Sequence, residues 1–106
     1  MSILEKFGKA LDSLNEEVMN ECIHDEYTFK NYSQGKVFNK HEVIQWAMSG
    51  DIQREKVRIL FENEEVGVEH AIVSFNDGNQ QAVLAFFTFK DGKIHTLETG
   101  ATNLPK

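Results

Sequence analysis

Four runs rich in β-branched and aromatic residues fill the second half of this chain: REKVRILFE from Arg54, EVGVEHAIVSF from Glu65, QAVLAFFTFK from Gln81 and KIHTLETG from Lys93. Short joints separate them at Asn63-Glu64, Asp77-Gly78 and Asp91-Gly92. An Asp-Gly pair between such runs is a strong hairpin signal, because both positions of a tight two-residue turn take a positive φ. The pattern therefore predicts an antiparallel meander with a definite register. Two-residue turns at the Asp-Gly joints set His70 opposite Ala85, Ala85 opposite Glu98, Phe87 opposite Thr96 and Phe89 opposite Ile94. The Asn63-Glu64 joint, treated likewise, sets Phe61 opposite Val66 and pairs Arg58 with Glu69 across the strands.

The first half reads differently. Ser2 with Glu5 forms a capping-box pattern ahead of Ile3, Leu4, Phe7, Leu11 and Leu14 at helical spacing. Asn15 is placed to cap a second helix carrying Val18, Met19, Cys22 and Ile23. Asp25 to Tyr32 alternates as a short strand, with Tyr27 and Phe29 on one side. Asn39 with Glu42 opens a third helix bearing Val43, Trp46 and Ala47, which Gly50 ends. Helices segregated from an antiparallel sheet make an α+β fold in the order α-α-β-α-β-β-β-β, expected as a single domain over residues 1–106.

On this register one sheet face holds Val57, Ile59, Phe61, Val66, Val68, Ile72, Val83, Phe87, Phe89 and Ile94, and the helices must cover it. His70, Thr96 and Glu98 interrupt it. His70 and Glu98 flank the small Ala85 across three strands, roughly 9–10 Å apart, which leaves space above Ala85 for a ligand. The opposite face carries Val73, Leu84, Phe86 and Leu97, an apolar patch that predicts a two-fold homodimer.

Composition narrows the function classes. A net charge of −6, with eleven scattered Lys and Arg, argues against nucleic-acid binding, which needs a concentrated basic surface. The single Cys22 predicts a reducing compartment, and nothing resembles a signal peptide or membrane span, so a cytoplasmic protein is expected. Histidines at 24, 41, 70 and 95 do not follow metal-ligand spacing, and no phosphate loop or nucleophile elbow occurs. No metal or cofactor is expected.

With CIHDEYTF entering the first strand and the closing DGKI…ETGAT segment, Asp91 to Thr102, the chain resembles the nuclear-transport-factor-2-like superfamily, in its SnoaL-like branch. The resemblance covers nearly all of the sequence. It implies a cone, in which a strongly curved antiparallel sheet wraps three N-terminal helices and leaves a cavity at the open end. It also implies dimerisation through the sheet. The superfamily includes ketosteroid isomerases, polyketide cyclases, dehydratases and non-catalytic binding domains, so the fold leaves the function open. The isomerase tyrosine has no counterpart on the first helix, and the meander's inner face carries no aspartate.

The expected function is binding of a small apolar or aromatic molecule between helices and sheet, with cofactor-free isomerase, cyclase or dehydratase chemistry as its catalytic form. His70 would shuttle the proton, with Glu98 or Asp25 as carboxylate partner. Tyr27, Trp46, Phe87 and Thr96 would line the ligand. The alternative is a non-catalytic homodimeric interaction module.

Overall fold

The structure is a computed structural model that describes residues 2–105. Helix α1 (Ile3–Asp12) starts where the Ser2 side chain accepts from the Glu5 backbone N–H at 3.1 Å. Glu5 does not close the expected box; instead Glu62, at the far end of a strand, accepts from the Ser2 hydroxyl and from the Ile3 N–H. A carboxylate at a helix N-terminus is favourable, and here it ties α1 to the sheet. Helix α2 (Glu16–Cys22) is capped by Asn15. Strand β1 (Ile23–Asn31) follows without a break. Strand β2 (Lys36–Asn39), which sequence patterning does not reveal, pairs antiparallel with β1. Asn39 and Glu42 form a complete capping box for α3 (Lys40–Met48). The meander is β3 (Ile52–Glu62), β4 (Val66–Phe75), β5 (Gln80–Lys90) and β6 (Lys93–Asn103).

One six-stranded sheet results, in the order β2-β1-β6-β5-β4-β3, with β1 parallel to β6. The α+β class and element order thus stand, with β2 added. The helices pack on one face around a core that includes Leu4, Phe7, Met19, Ile23, Phe87 and Ile94. Gly67 on β4 permits the closest approach: a Cβ there would lie 2.7 Å from Leu4 Cδ1 and 3.0 Å from Phe89 Cζ.

The register holds at the Asp91-Gly92 turn itself and departs from expectation beyond it and at the other two joints. Asp91-Gly92 is a two-residue turn with φ of 55° and 73°, and Phe89 pairs with Ile94. A bulge at His95 then shifts β6 by one residue, so that Thr88 meets Thr96 and Phe86 meets Glu98. At the β4–β5 hairpin the loop takes three residues, Asn76 to Gly78, because Phe75 bonds Asn79 and Gly78 adopts φ 88°. His70 therefore pairs with Leu84, and Glu69 with Ala85. The β3–β4 turn tip is Glu64-Glu65, since Asn63 N–H donates to Val66 O. Further shifts follow along β3, and Arg58 meets His70 rather than Glu69.

Because side chains alternate across a sheet, one step of slip exchanges the faces. Glu69, Ala71, Val73 and Phe75 of β4 turn toward the helices, as do Leu97, Thr99 and Ala101 of β6. His70, Thr96 and Glu98 turn away. Of the expected dimer patch, Val73 and Leu97 move inside, while Leu84 and Phe86 stay outside, 50% and 41% exposed.

Candidate functional site

Between helices and sheet lies a cavity of about 860 Å³, within the range of small-molecule sites. Phe7 and Leu11 of α1 form part of its helical wall, with Val43, Trp46 and Ala47 of α3. Tyr27, Phe29 and Asn31 of β1 close one side, and inward residues of β4, β5 and β6 form the floor. Aromatic rings run along one flank: Phe29 lies 5.8 Å from Phe38, Phe38 stacks on Trp46 at 6.1 Å, and Trp46 stacks on Phe75 at 6.5 Å. Trp46 Nε1 donates to Asp51 at 3.2 Å, and Asp51 also accepts from the Asn76 N–H. Both Asp51 oxygens are thereby engaged, fixing the indole and the loop after β4 together.

The cavity wall carries a buried carboxyl, that of Glu69. Its side chain is 8% exposed and pairs with Arg54 of β3, whose Nη2 lies 3.3 Å from Glu69 Oε1. The guanidinium lies beside Gly8 of α1, where a Cβ would be in ordinary contact with Nη2 at 3.7 Å. Arg54 Nε is buried without a hydrogen-bond partner, a cost that the single long contact to Glu69 does not relieve. Burial pushes the Glu69 carboxyl above its usual 4.5, with Arg54 opposing and Asp12 and Glu62 adding to the rise. A carboxyl raised above the usual range by burial in an apolar cavity has the character of a proton-transfer group. Tyr27 is 3% exposed, and burial keeps its phenol neutral far above the usual range. Its hydroxyl has no partner among the described residues, so it can donate to a ligand.

The residues singled out from sequence divide cleanly. Tyr27, Trp46 and Phe87 line the cavity. His70, Glu98 and Thr96 do not. His70 sits on the outer face between Arg58 and Leu84, Glu98 accepts from the exposed Tyr32 hydroxyl at 2.9 Å, and Thr96 bonds Thr88. The register slip that separates them from the cavity corrects the proposed His70–Glu98 pair. Asp25 also lies outside, 90% exposed and bonded to Lys40 Nζ at 3.0 Å, which lowers its pKa. Sequence reasoning missed Glu69 and Arg54. What decides between His70 and Glu69 is the length of the loop at Asn76-Asp77-Gly78, two residues or three, which Gly78 in the left-handed position allows equally.

A second grouping of titratable residues lies at the β5–β6 turn, where donor atoms of His24, Glu26 and His95 fall within 4.8 Å of one another. His24 Nδ1 accepts from the Glu26 N–H, its Nε2 faces Asp91 at 3.3 Å, and Lys90 holds Glu26. With Nδ1 accepting, the ring proton belongs on Nε2, so a cation would have to displace it.

No family model matches this sequence, and no curated protein matches it. Solved structures do. A candidate ketosteroid isomerase from Kribbella flavida superposes with a TM-score of 0.81 at 11% identity, covering 98% of this chain and 78% of that one. An NTF2-like protein of unknown function from Cytophaga hutchinsonii gives 0.81 at 13% identity, over 94% and 87%. IdmH, a candidate polyketide cyclase from Streptomyces antibioticus, gives 0.73 at 14% identity, over 93% and 88%. At these identities the likeness concerns the fold. This chain has the nuclear-transport-factor-2-like fold.

Proposed function

We propose that the protein binds a small, largely apolar or aromatic molecule in this cavity and that Glu69 exchanges a proton with it. The observation that carries the reading is a buried carboxyl, raised in pKa, on the wall of an otherwise aromatic and aliphatic cavity. In the catalytic form, Glu69 removes a proton from carbon beside a carbonyl, the electron pair moves onto the carbonyl oxygen, and the Tyr27 hydroxyl stabilises that oxygen by donating to it. With a β,γ-unsaturated ketone, return of the proton from Glu69 to the γ-carbon of the dienolate completes an isomerisation; with a second carbonyl in reach, attack of the enolate carbon forms an alkoxide that takes the proton back from Glu69 and completes a cyclisation. The structural neighbours described as an isomerase and a cyclase support this class of chemistry.

Trp46 is the sole tryptophan and stands on the cavity wall, so binding is read directly. Titration with 2-tetralone, a flat bicyclic ketone, is expected to quench Trp46 fluorescence. Ala85→Phe, which fills the space beside Glu69, is expected to weaken binding at least about tenfold, a loss of about 1.4 kcal/mol, while cooperative unfolding is retained. Unchanged affinity in that variant would place the ligand elsewhere.

The outer face favours a second role. Leu84 and Phe86 are exposed beside Val68 and Ile72 on the same face, which supports pairing with a second copy through this surface. Sedimentation velocity is expected to show a dimer that Phe86→Glu converts to monomer; a monomeric wild type discards the pairing.

A further inference from the structure

The mouth of the cavity is chemically distinct from its floor. Asn31, Gln34, Asn76, Asn79, Gln81 and Asn103, from the neighbouring ends of β1, β4, β5 and β6, are among its lining residues; Asn31 Oδ1 accepts from the Gln34 N–H and Asn79 Nδ2 donates to Asp77. Gln81 Nε2 donates to Asn103 Oδ1 at 3.1 Å, which leaves the Gln81 carbonyl and the Asn103 N–H groups to face a ligand. Among the described lining residues, the charged groups are the Arg54–Glu69 pair, Asp51 and Asp77. Arg54 is the one cation, and it faces Glu69. An anionic ligand would thus shed its hydration shell beside carboxylates with no unpaired cation to receive it. A hydroxyl-bearing ligand meets both donors and acceptors, and a site built to hydrogen-bond hydroxyls discriminates strongly in their favour.

We infer that the natural occupant is an uncharged aromatic molecule whose polyhydroxylated or glycosylated end sits against these amides. The inference rests on the ligand-binding reading above and adds the ligand's charge and orientation.

The test is calorimetric titration of the full chain at neutral pH with 2-naphthol, 2-naphthyl β-D-glucopyranoside and 2-naphthoate. The glucoside is expected to bind about 3- to 10-fold tighter than 2-naphthol, the gain of one or two net hydrogen bonds. Naphthoate is expected to bind at least about tenfold weaker than 2-naphthol, from uncompensated desolvation of its charge. Asn103→Leu, at an exposed position, is expected to bring the glucoside-to-naphthol affinity ratio down toward one. Naphthoate binding as tightly as 2-naphthol, or a glucoside no tighter than 2-naphthol, overturns the inference while leaving the cavity a ligand site. Failure of all three probes to bind removes the ligand-binding reading itself.

Discussion

In deuterium oxide the wild-type protein is expected to exchange the α-protons of 2-tetralone faster than buffer does, and Glu69→Gln to slow that exchange by roughly 10²- to 10⁴-fold, the range attributed to a positioned general base. The amide keeps the shape of the side chain and its contact with Arg54 but cannot take a proton. Binding of 2-tetralone, followed through Trp46, should change far less than the rate. The pH profile provides a separate check. Burial holds the Glu69 carboxyl above 4.5, so the active carboxylate form accumulates only as pH rises through that elevated value. Exchange should therefore climb with a midpoint above the ordinary glutamate range. A profile without this midpoint, or a rate that survives Glu69→Gln, would remove Glu69 from the chemistry.

The largest stability effect is expected at its partner. Arg54→Met leaves a carboxylate in the cavity wall with no counter-charge, and removing one member of a buried pair costs about 3–5 kcal/mol. Urea denaturation at pH 8 measures it. The sign of the pH dependence follows from linkage. A carboxyl whose folded pKa is raised contributes its full stability below the unfolded value and loses it as pH rises through the folded value. Without Arg54 to oppose desolvation, the folded pKa rises further. The deficit of Arg54→Met should accordingly be large at pH 8 and shrink on lowering the pH toward 5, as Glu69 takes up its proton. Arg54→Met combined with Glu69→Leu should recover most of the loss, because an apolar pair carries no desolvation cost. A deficit that is flat across this pH range would mean that Arg54 acts through packing of its stem rather than through its charge.

Much of the architecture was legible because its signals are local. Asn39 and Glu42 meet within one helical turn, and Asp91-Gly92 forms its tight turn from backbone preferences of those two residues. Tyr27, Trp46 and Phe87 could be placed on the cavity because their spacing along β1, α3 and β5 assigns them to inward faces whatever the neighbouring strands do. Strand β2 escaped notice: four residues pairing on one side carry little periodicity.

Which residues of β4 face the cavity was not legible for a definite reason. Both faces of β4 are apolar: Val66, Val68 and Ile72 on one, Ala71, Val73 and Phe75 on the other. Alternation alone cannot rank them, so the choice between His70 and Glu69 fell to the length of one loop. A glycine at position 78 serves a two-residue or a three-residue loop equally well. The bulge at His95 posed the same difficulty for Glu98 and Leu97, since nothing in KIHTL marks where an extra residue is absorbed.

Amino-acid order alone therefore settled the elements, their sequence along the chain and the class of fold, because caps, turns and periodicity act over a few residues. Which carboxyl faces the cavity was settled by packing across the whole domain. Leu4 seats on Gly67, and Arg54 threads beneath Gly8 to reach Glu69. Those contacts join residues dozens of positions apart, and they select one of two registers that local energetics leave nearly equal.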